Sequence, residues 1–281
     1  MNLAIIKFSS IIIISFSLSS TFSQNQLQIQ FEYAVKIYNE ENYFDAVTEF
    51  KRLQYFDSLN QFSFLTNKFI ALSYKAGGKF DLANKYFILV EKNTSNTDSI
   101  FQIRIEIIKV NLLTRNLYQA FKILDDLKSD KRFESKEDEI IYWRGWAYVF
   151  NNEWDKASNE FAKIDTGKEL ERLCKNVSEL QYSKTKAKIL SYLIPGAGQF
   201  YTGNYISGLL SFGWMALWSY LSLQAFAADR VFDGVMIANF LAFRFYNGNL
   251  QNAENFVEDK NQEISNWMLN YLQNNYSGDK P

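Results

Sequence analysis

Residues 43–53 read YFDAVTEFKRL, and the same grammar returns as FDLANKYFILV at 80–90, LYQAFKILDDL at 117–127 and WDKASNEFAKI at 154–164. Ala46, Ala83, Ala120 and Ala157 therefore stand 37 residues apart each time, with Phe50, Phe87, Leu124 and Phe161 four residues after them. Three residues before each alanine comes Tyr43, Phe80, Leu117 or Trp154, and seven after it Leu53, Val90, Leu127 or Ile164. Positions spaced in this way share one face of an α-helix, so each stretch predicts a helix with a continuous apolar stripe.

Working outward from the alanines, the residues twelve places upstream are Ala34, Ala71, Ile108 and Gly145, three of them small, as required where two helix backbones approach closely. Between the two positions lie Glu41-Asn42, Gly77-Gly78, Arg115-Asn116 and Asn151-Asn152. Gly and Asn accept the left-handed conformation that ends a helix, so these pairs predict helix stops. Asp45, Asp81 and Asp155 then fall in the first turn of the next helix, where the helix dipole favours a negative charge. Prolines occur only at Pro195 and Pro281, so nothing interrupts helices over the first two-thirds of the chain. The predicted fold is all-α: four helical hairpins, each burying its sides against the next copy.

This pattern resembles the tetratricopeptide repeat family, whose units pair a small residue in the first helix with an alanine and an aromatic in the second. The resemblance covers about 27–168, within a predicted repeat domain of 24–168. The unit here is longer than the family's usual ~34 residues, and it lacks that family's early Trp and closing Pro. The resemblance implies a concave groove lined by the first helices, which holds a protein or peptide client. Carried onto this register, the lining residues are Tyr38, Leu72, Lys75, Lys109, Tyr142, Trp146 and Phe150. The aromatics Tyr142, Trp143, Trp146 and Tyr148 fit packing against neighbouring helices equally well.

Composition narrows the chemistry. The formal net charge of −1 gives no electrostatic footprint for nucleic acid, and the chain has no histidine, the commonest metal ligand and general base near pH 7. Its one cysteine, Cys174, lies in a helical-looking run over 168–188 and reads as a buried thiol. An enzyme would have to work through carboxylates such as Glu106 or Glu160 unaided, so the expectation is no catalysis, no cofactor, no metal and no small-molecule substrate.

Lys7, the apolar stretch 8–18 and the small residues of 19–23 read as a secretory signal peptide over 1–23, with a retained membrane anchor as the rival reading. At the other end, 40 consecutive residues, 189–228, carry no charge. The part from 205 to 228 is long enough to cross a bilayer, and 231–245 offers a return arm. Residues 169–188 are then a connecting helix, 189–247 an apolar hairpin in contact with lipid through 189–245, 248–273 an amphipathic helix and 274–281 a disordered tail. Asp233 and Arg244 fall near one helical face; an ion pair there would mark a functional site, and positions near water at the ends of the hairpin arm are the preferred reading.

The segment Pro195-Gly196-Ala197-Gly198-Gln199-Phe200-Tyr201-Thr202-Gly203, with Gly208 five further on, resembles the entry motif of small bacterial two-helix membrane domains. The resemblance implies close backbone approach at the glycines, a bond from Gln199 to backbone freed by Pro195, and Tyr201 at the membrane interface. No Gly-Lys-Ser or Gly-Lys-Thr follows, which argues against a phosphate-binding loop. Taken together, these readings predict a non-enzymatic scaffold of the bacterial cell envelope, exported and attached to the inner membrane. The alternative is an accessory subunit of a membrane transport or insertion complex, acting through the hairpin. Lys184, Lys186 and Lys188 then lie on the outer side, against the usual bias of basic residues toward the cytoplasm.

Overall fold

Amide and carbonyl groups of residues 25–281, the part of the chain described by the computed structural model, are organised into helices in every regular element. The signal-peptide stretch lies outside the described residues. The chain divides into two compact units, one ending at Asn151 and including Lys280 and Pro281, the other Asn152–Asp279.

In the first unit α1 covers 25–39, followed by α2 (Tyr43–Phe56), α3 (Ser63–Ala76), α4 (Phe80–Lys92), α5 (Thr97–Leu113) and α6 (Leu117–Ser129). A 3₁₀ turn, Lys131–Lys136, leads into α7 (Glu137–Phe150). From α2 onward each helix packs on the next. Ala46, Ala83 and Ala120 are 0% exposed, and so are Phe50, Phe87 and Leu124 beside them. Ala34 shares a buried cluster with Ala46, and Ala71 shares one with Ala83, so the small pairs sit where neighbouring helices meet. Side chains complete the entries to two helices. The buried Asp57 carboxylate accepts from the amides of Gln61 (3.0 Å) and Phe62 (2.7 Å), and Asn96 accepts from the Ser99 amide (2.8 Å).

The corners repeat as strictly as the alanines. Glu41, Gly78, Arg115 and Asn152 all have positive φ, at 63°, 70°, 55° and 60°, and they too are 37 residues apart. The residue after each of the first three donates its amide back to Ile37 (3.2 Å), Tyr74 (2.8 Å) and Asn111 (2.8 Å), closing the preceding helix. Its own carbonyl then accepts from the amide of Ala46 (2.9 Å), Ala83 (3.0 Å) or Ala120 (3.2 Å) and opens the next helix. One two-residue corner thus stops one helix, starts another and fixes where the alanine falls.

The second unit holds α8 (Trp154–Phe161), α9 (Lys168–Leu180), α10 (Lys184–Leu193), the short α11 (Ala197–Tyr201) and α12 (Tyr205–Ala227). A long return limb follows: α13 (Val231–Met236), a π-helical turn (Ile237–Ala242) and α14 (Phe243–Asn275). The unit boundary falls at the corner between α7 and α8, inside the fourth alanine unit. α8 packs on α9, whose Leu170, Cys174 and Val177 are buried. Its first residue is bound to α14: the buried indole N–H of Trp154 donates to Ser265 Oγ at 2.8 Å. Helix α14 continues to Asn275, and Tyr276 after it is buried.

The same corner appears twice more here. Gly203 (φ 79°) and Asp229 (φ 59°) precede Asn204 and Arg230, whose amides donate to Gln199 (2.8 Å) and Ala225 (2.9 Å). Five residues after the left-handed residue, where the first unit has alanine, stand Gly208 and Gly234, and twelve before these stand Gly196 and Ser222. A Cβ on Gly196 would overlap the carbonyl of Gly208, and the Ser222 hydroxyl donates to the carbonyl of Gly234 at 2.9 Å. The apolar C-terminal segment therefore uses the hairpin register of the alanine units, tightened from alanine to glycine.

Candidate functional site

Three first helices of the hairpins bring the charged members of the predicted groove together. Lys75 at the end of α3 and Lys109 on α5 both reach Glu106: Lys75 Nζ lies 3.0 Å from one carboxylate oxygen and Lys109 Nζ 2.9 Å from the other. Lys109 also stands 4.6 Å from the ring centre of Trp143 on α7, a cation–π contact. Burial alone would push the Glu106 carboxyl up, but the two ammonium groups more than reverse this and hold it below the usual glutamate value. Lys75 is held below the usual lysine range by burial, which a carboxylate shared with Lys109 does not offset. A carboxylate so stabilised is a weak base, and the cluster is suited to binding and to fastening helices.

The other predicted groove residues separate into two kinds. Tyr38 is half-buried, edge-on to Phe69 (5.5 Å between ring centres) and beside Tyr43 (5.7 Å); burial and then the charges of Tyr43 and Glu106 raise its phenol. Leu72 and Phe150 are likewise half-buried. Tyr142 and Trp146 are 8% and 2% exposed and belong to the core. Of the seven, Tyr38, Leu72, Lys75, Lys109 and Phe150 retain accessible surface. Sequence reasoning missed Glu106 as a member of this face and Trp143 as the buried ring against which Lys109 rests. Phe69, Glu106 and Trp143 occupy one register position at the 37-residue period, which was the available signal. A groove of about 580 Å³ opens elsewhere, along the outer side of α4 at Asp81, Lys85, Ile88 and Lys92.

The Pro-Gly segment builds a tight junction between α10, α11 and α14. Gly198 leaves no room for a Cβ, which would press on Ser191, the Ala187 carbonyl and Ala253. Its amide donates to Ser191 Oγ (2.9 Å), while the Gly196 amide donates to Asn249 Oδ1 (2.8 Å). Gln199, 0% exposed, donates to Asn249 Oδ1 (2.9 Å) and to the Asn249 carbonyl (3.2 Å). It is tied to α14, not to the backbone around Pro195. Pro195 itself is half-buried at the end of α10, and Gly203 supplies the left-handed corner into α12. Tyr201 is half-buried, its ring edge-on to Tyr182 (5.2 Å) and its hydroxyl accepting from the Ser183 amide (3.2 Å). Below the junction Lys188 pairs with Glu254 (2.9 Å) and Lys184 with Glu258. Asn249 and Asn261, which brackets Tyr182 with two bonds, were not anticipated; both act over separations that no local pattern reveals.

Beyond the junction α12 is long and apolar enough to cross a membrane and is mostly uncovered. Leu209, Leu210, Phe212, Leu217 and Leu223 are exposed along it, as are Val231, Phe232, Phe240 and Phe243 on the return limb. Trp214 and Trp218 stack on one another and on Phe245 (5.8 and 6.1 Å), joining α12 to α14, while Trp214 stays partly exposed. Asp233 and Arg244 form no ion pair with one another; Asp233 lies 3.6 Å from the exposed Arg230, three residues back at the corner.

Cys174 is buried, and burial pushes its thiol up to about 12. Among the described residues no group of three His, Cys, Asp or Glu could hold a metal ion. Comparison with protein families, with curated proteins and with solved structures finds no match to the chain.

Proposed function

We propose that the chain is a non-enzymatic, membrane-tethered scaffold of the cell envelope. Its tetratricopeptide-like hairpins form a repeat array that presents the first-helix face to a protein or peptide client. Helix α12 and the return limb form a hairpin that lies in lipid, and the N-terminal stretch directs export. The observation that carries this reading is the apolar surface of α12, which extends over 23 residues and is left mostly uncovered, whereas α2, α4 and α6 of the first unit bury their alanine-centred stripes. Water-exposed apolar area of this extent is stabilised by an apolar solvent or partner. Tyr192, Tyr205 and Tyr246, near the Gly196–Gly208 crossing, supply amphipathic rings at the depth where such a hairpin would leave the bilayer.

The client surface rests on Tyr38, Leu72, Lys75 and Lys109, accessible residues on successive first helices. Its test uses the full chain in vesicles with a photo-crosslinking residue at Leu72 or, as a control, at Ile88 on the outer side of α4. A discrete adduct from position 72 alone supports the first-helix face. Adducts from position 88 alone move the binding surface to the outer groove.

A further inference from the structure

Asn239 is the one carboxamide displayed on the exposed face of the return limb between the corner at Asp229-Arg230 and Phe245. Its Nδ2 donates to the Val235 carbonyl one turn back (3.1 Å). Among the described residues its oxygen and its second N–H have no partner. Two contacts bracket its depth: Gly234 is level with Ser222 through their hydrogen bond, and Phe245 is level with Trp214 and Trp218 through their stacked rings. Asn239 lies between them, ~14 Å from the corner at about 1.5 Å per residue, which is near the middle of a ~30 Å hydrocarbon layer.

An amide at that depth has no water to bond, and in lipid its unused donor and acceptor are satisfied by another polar group. A carboxamide is self-complementary, because it offers one donor and one acceptor side by side. Val235 and Phe243, four residues to either side, are exposed on the same limb and supply apolar contact above and below it. The turn that carries Asn239 is the π-helical segment Ile237–Ala242, a wide turn of the kind found at functional positions in helices.

We propose that the return limb pairs with the same limb of a second copy, the two Asn239 side chains donating to and accepting from each other across a two-fold axis. The proposal rests on the reading that this hairpin lies in lipid. The test therefore begins with flotation of the full chain with phosphatidylcholine vesicles, where failure to float overturns that reading and with it the pairing. Donor- and acceptor-labelled full-length chains are then diluted with lipid and their energy transfer followed. The wild type is expected to dissociate as a dimer, with Asn239→Leu weakening the association on the order of ten-fold and Asn239→Gln restoring it. Asn239→Leu that floats and associates like the wild type overturns the proposal, as does a wild type that floats but shows no transfer. A second readout does not depend on affinity. Oxidation of Asn239→Cys in vesicles is expected to give a disulfide-linked dimer, whereas Leu223→Cys, exposed on α12, gives none; linkage to a different protein in native membranes overturns the choice of partner.

Discussion

One carboxylate between two lysines is the most consequential residue-scale feature of the first unit. The Glu106 side chain is 19% exposed, so its bonds to Lys75 and Lys109 are only partly screened by water. Glu106→Gln keeps the shape and removes the charge that both ammonium groups face; it is expected to lower stability by about 2 kcal/mol in urea unfolding. The pH dependence has a definite sign. Glu106 is held below its ordinary value of 4.5 in the folded chain, so the unfolded chain takes up the proton first as the solution is acidified. Its contribution is complete above that ordinary value and is lost as the pH falls through the depressed one. In Glu106→Gln this part of the acid-side loss is expected to vanish, and an unchanged acid limb would show that the cluster carries no net stabilisation. The sequence made Lys75 and Lys109 visible as members of a face. Glu106 and Lys109 stand three residues apart on one helix, a pairing that local spacing allows, whereas the bond from Lys75 was not legible, because it spans 31 residues and no helix-local rule joins the two.

At the scale of elements the unit of construction is the corner. A left-handed residue five places before a small residue recurs from Glu41 to Asp229, with the opening carbonyl bond at each corner and the closing amide bond at those of Glu41, Gly78, Arg115, Gly203 and Asp229. Gly77-Gly78 and Asn151-Asn152 announce this conformation by composition, whereas Glu41 and Arg115 adopt it only because the register demands it. A side chain with a Cβ costs roughly 1–2 kcal/mol in that region, offset in part by the greater chain entropy that glycine loses on folding. Glu41→Gly is therefore expected to stabilise the chain by about 0.5 kcal/mol, and Gly78→Ala to destabilise it by about 1 kcal/mol, in thermal unfolding of the full chain. The opposite ordering would mean that the corners are not what sets the hairpin register. The C-terminal corners escaped a reading based on alanine because Gly208 and Gly234 take its place and the helix before Gly203, α11, is a single short turn. The exchange has a steric reason: the Gly196 and Gly208 backbones approach too closely for either to carry a Cβ.

Across the whole molecule, two long-range facts were invisible to periodicity. The fourth alanine unit divides at its corner, because Trp154 is fastened to Ser265, 111 residues away. The junction at Gln199 likewise draws its partner, Asn249, from 50 residues downstream. What periodicity and charge did disclose was the helical class and the uncharged run that becomes α12, since both are properties of contiguous residues. The same α12 surface allows a decisive comparison of solvents. Leu217 is exposed near the middle of the helix and Leu59 is exposed in the first unit. If water surrounded both, Leu217→Lys and Leu59→Lys would each change stability by no more than about 0.5 kcal/mol. If lipid surrounds α12, the lysine at 217 costs on the order of 3 kcal/mol at the centre of a spanning helix, a loss of partitioning of roughly a hundred-fold. Vesicle flotation of the two full-length variants measures this directly. The expected result is a chain that leaves the vesicles when residue 217 is lysine and stays with them when residue 59 is; equal flotation of the two variants would place α12 outside the hydrocarbon layer.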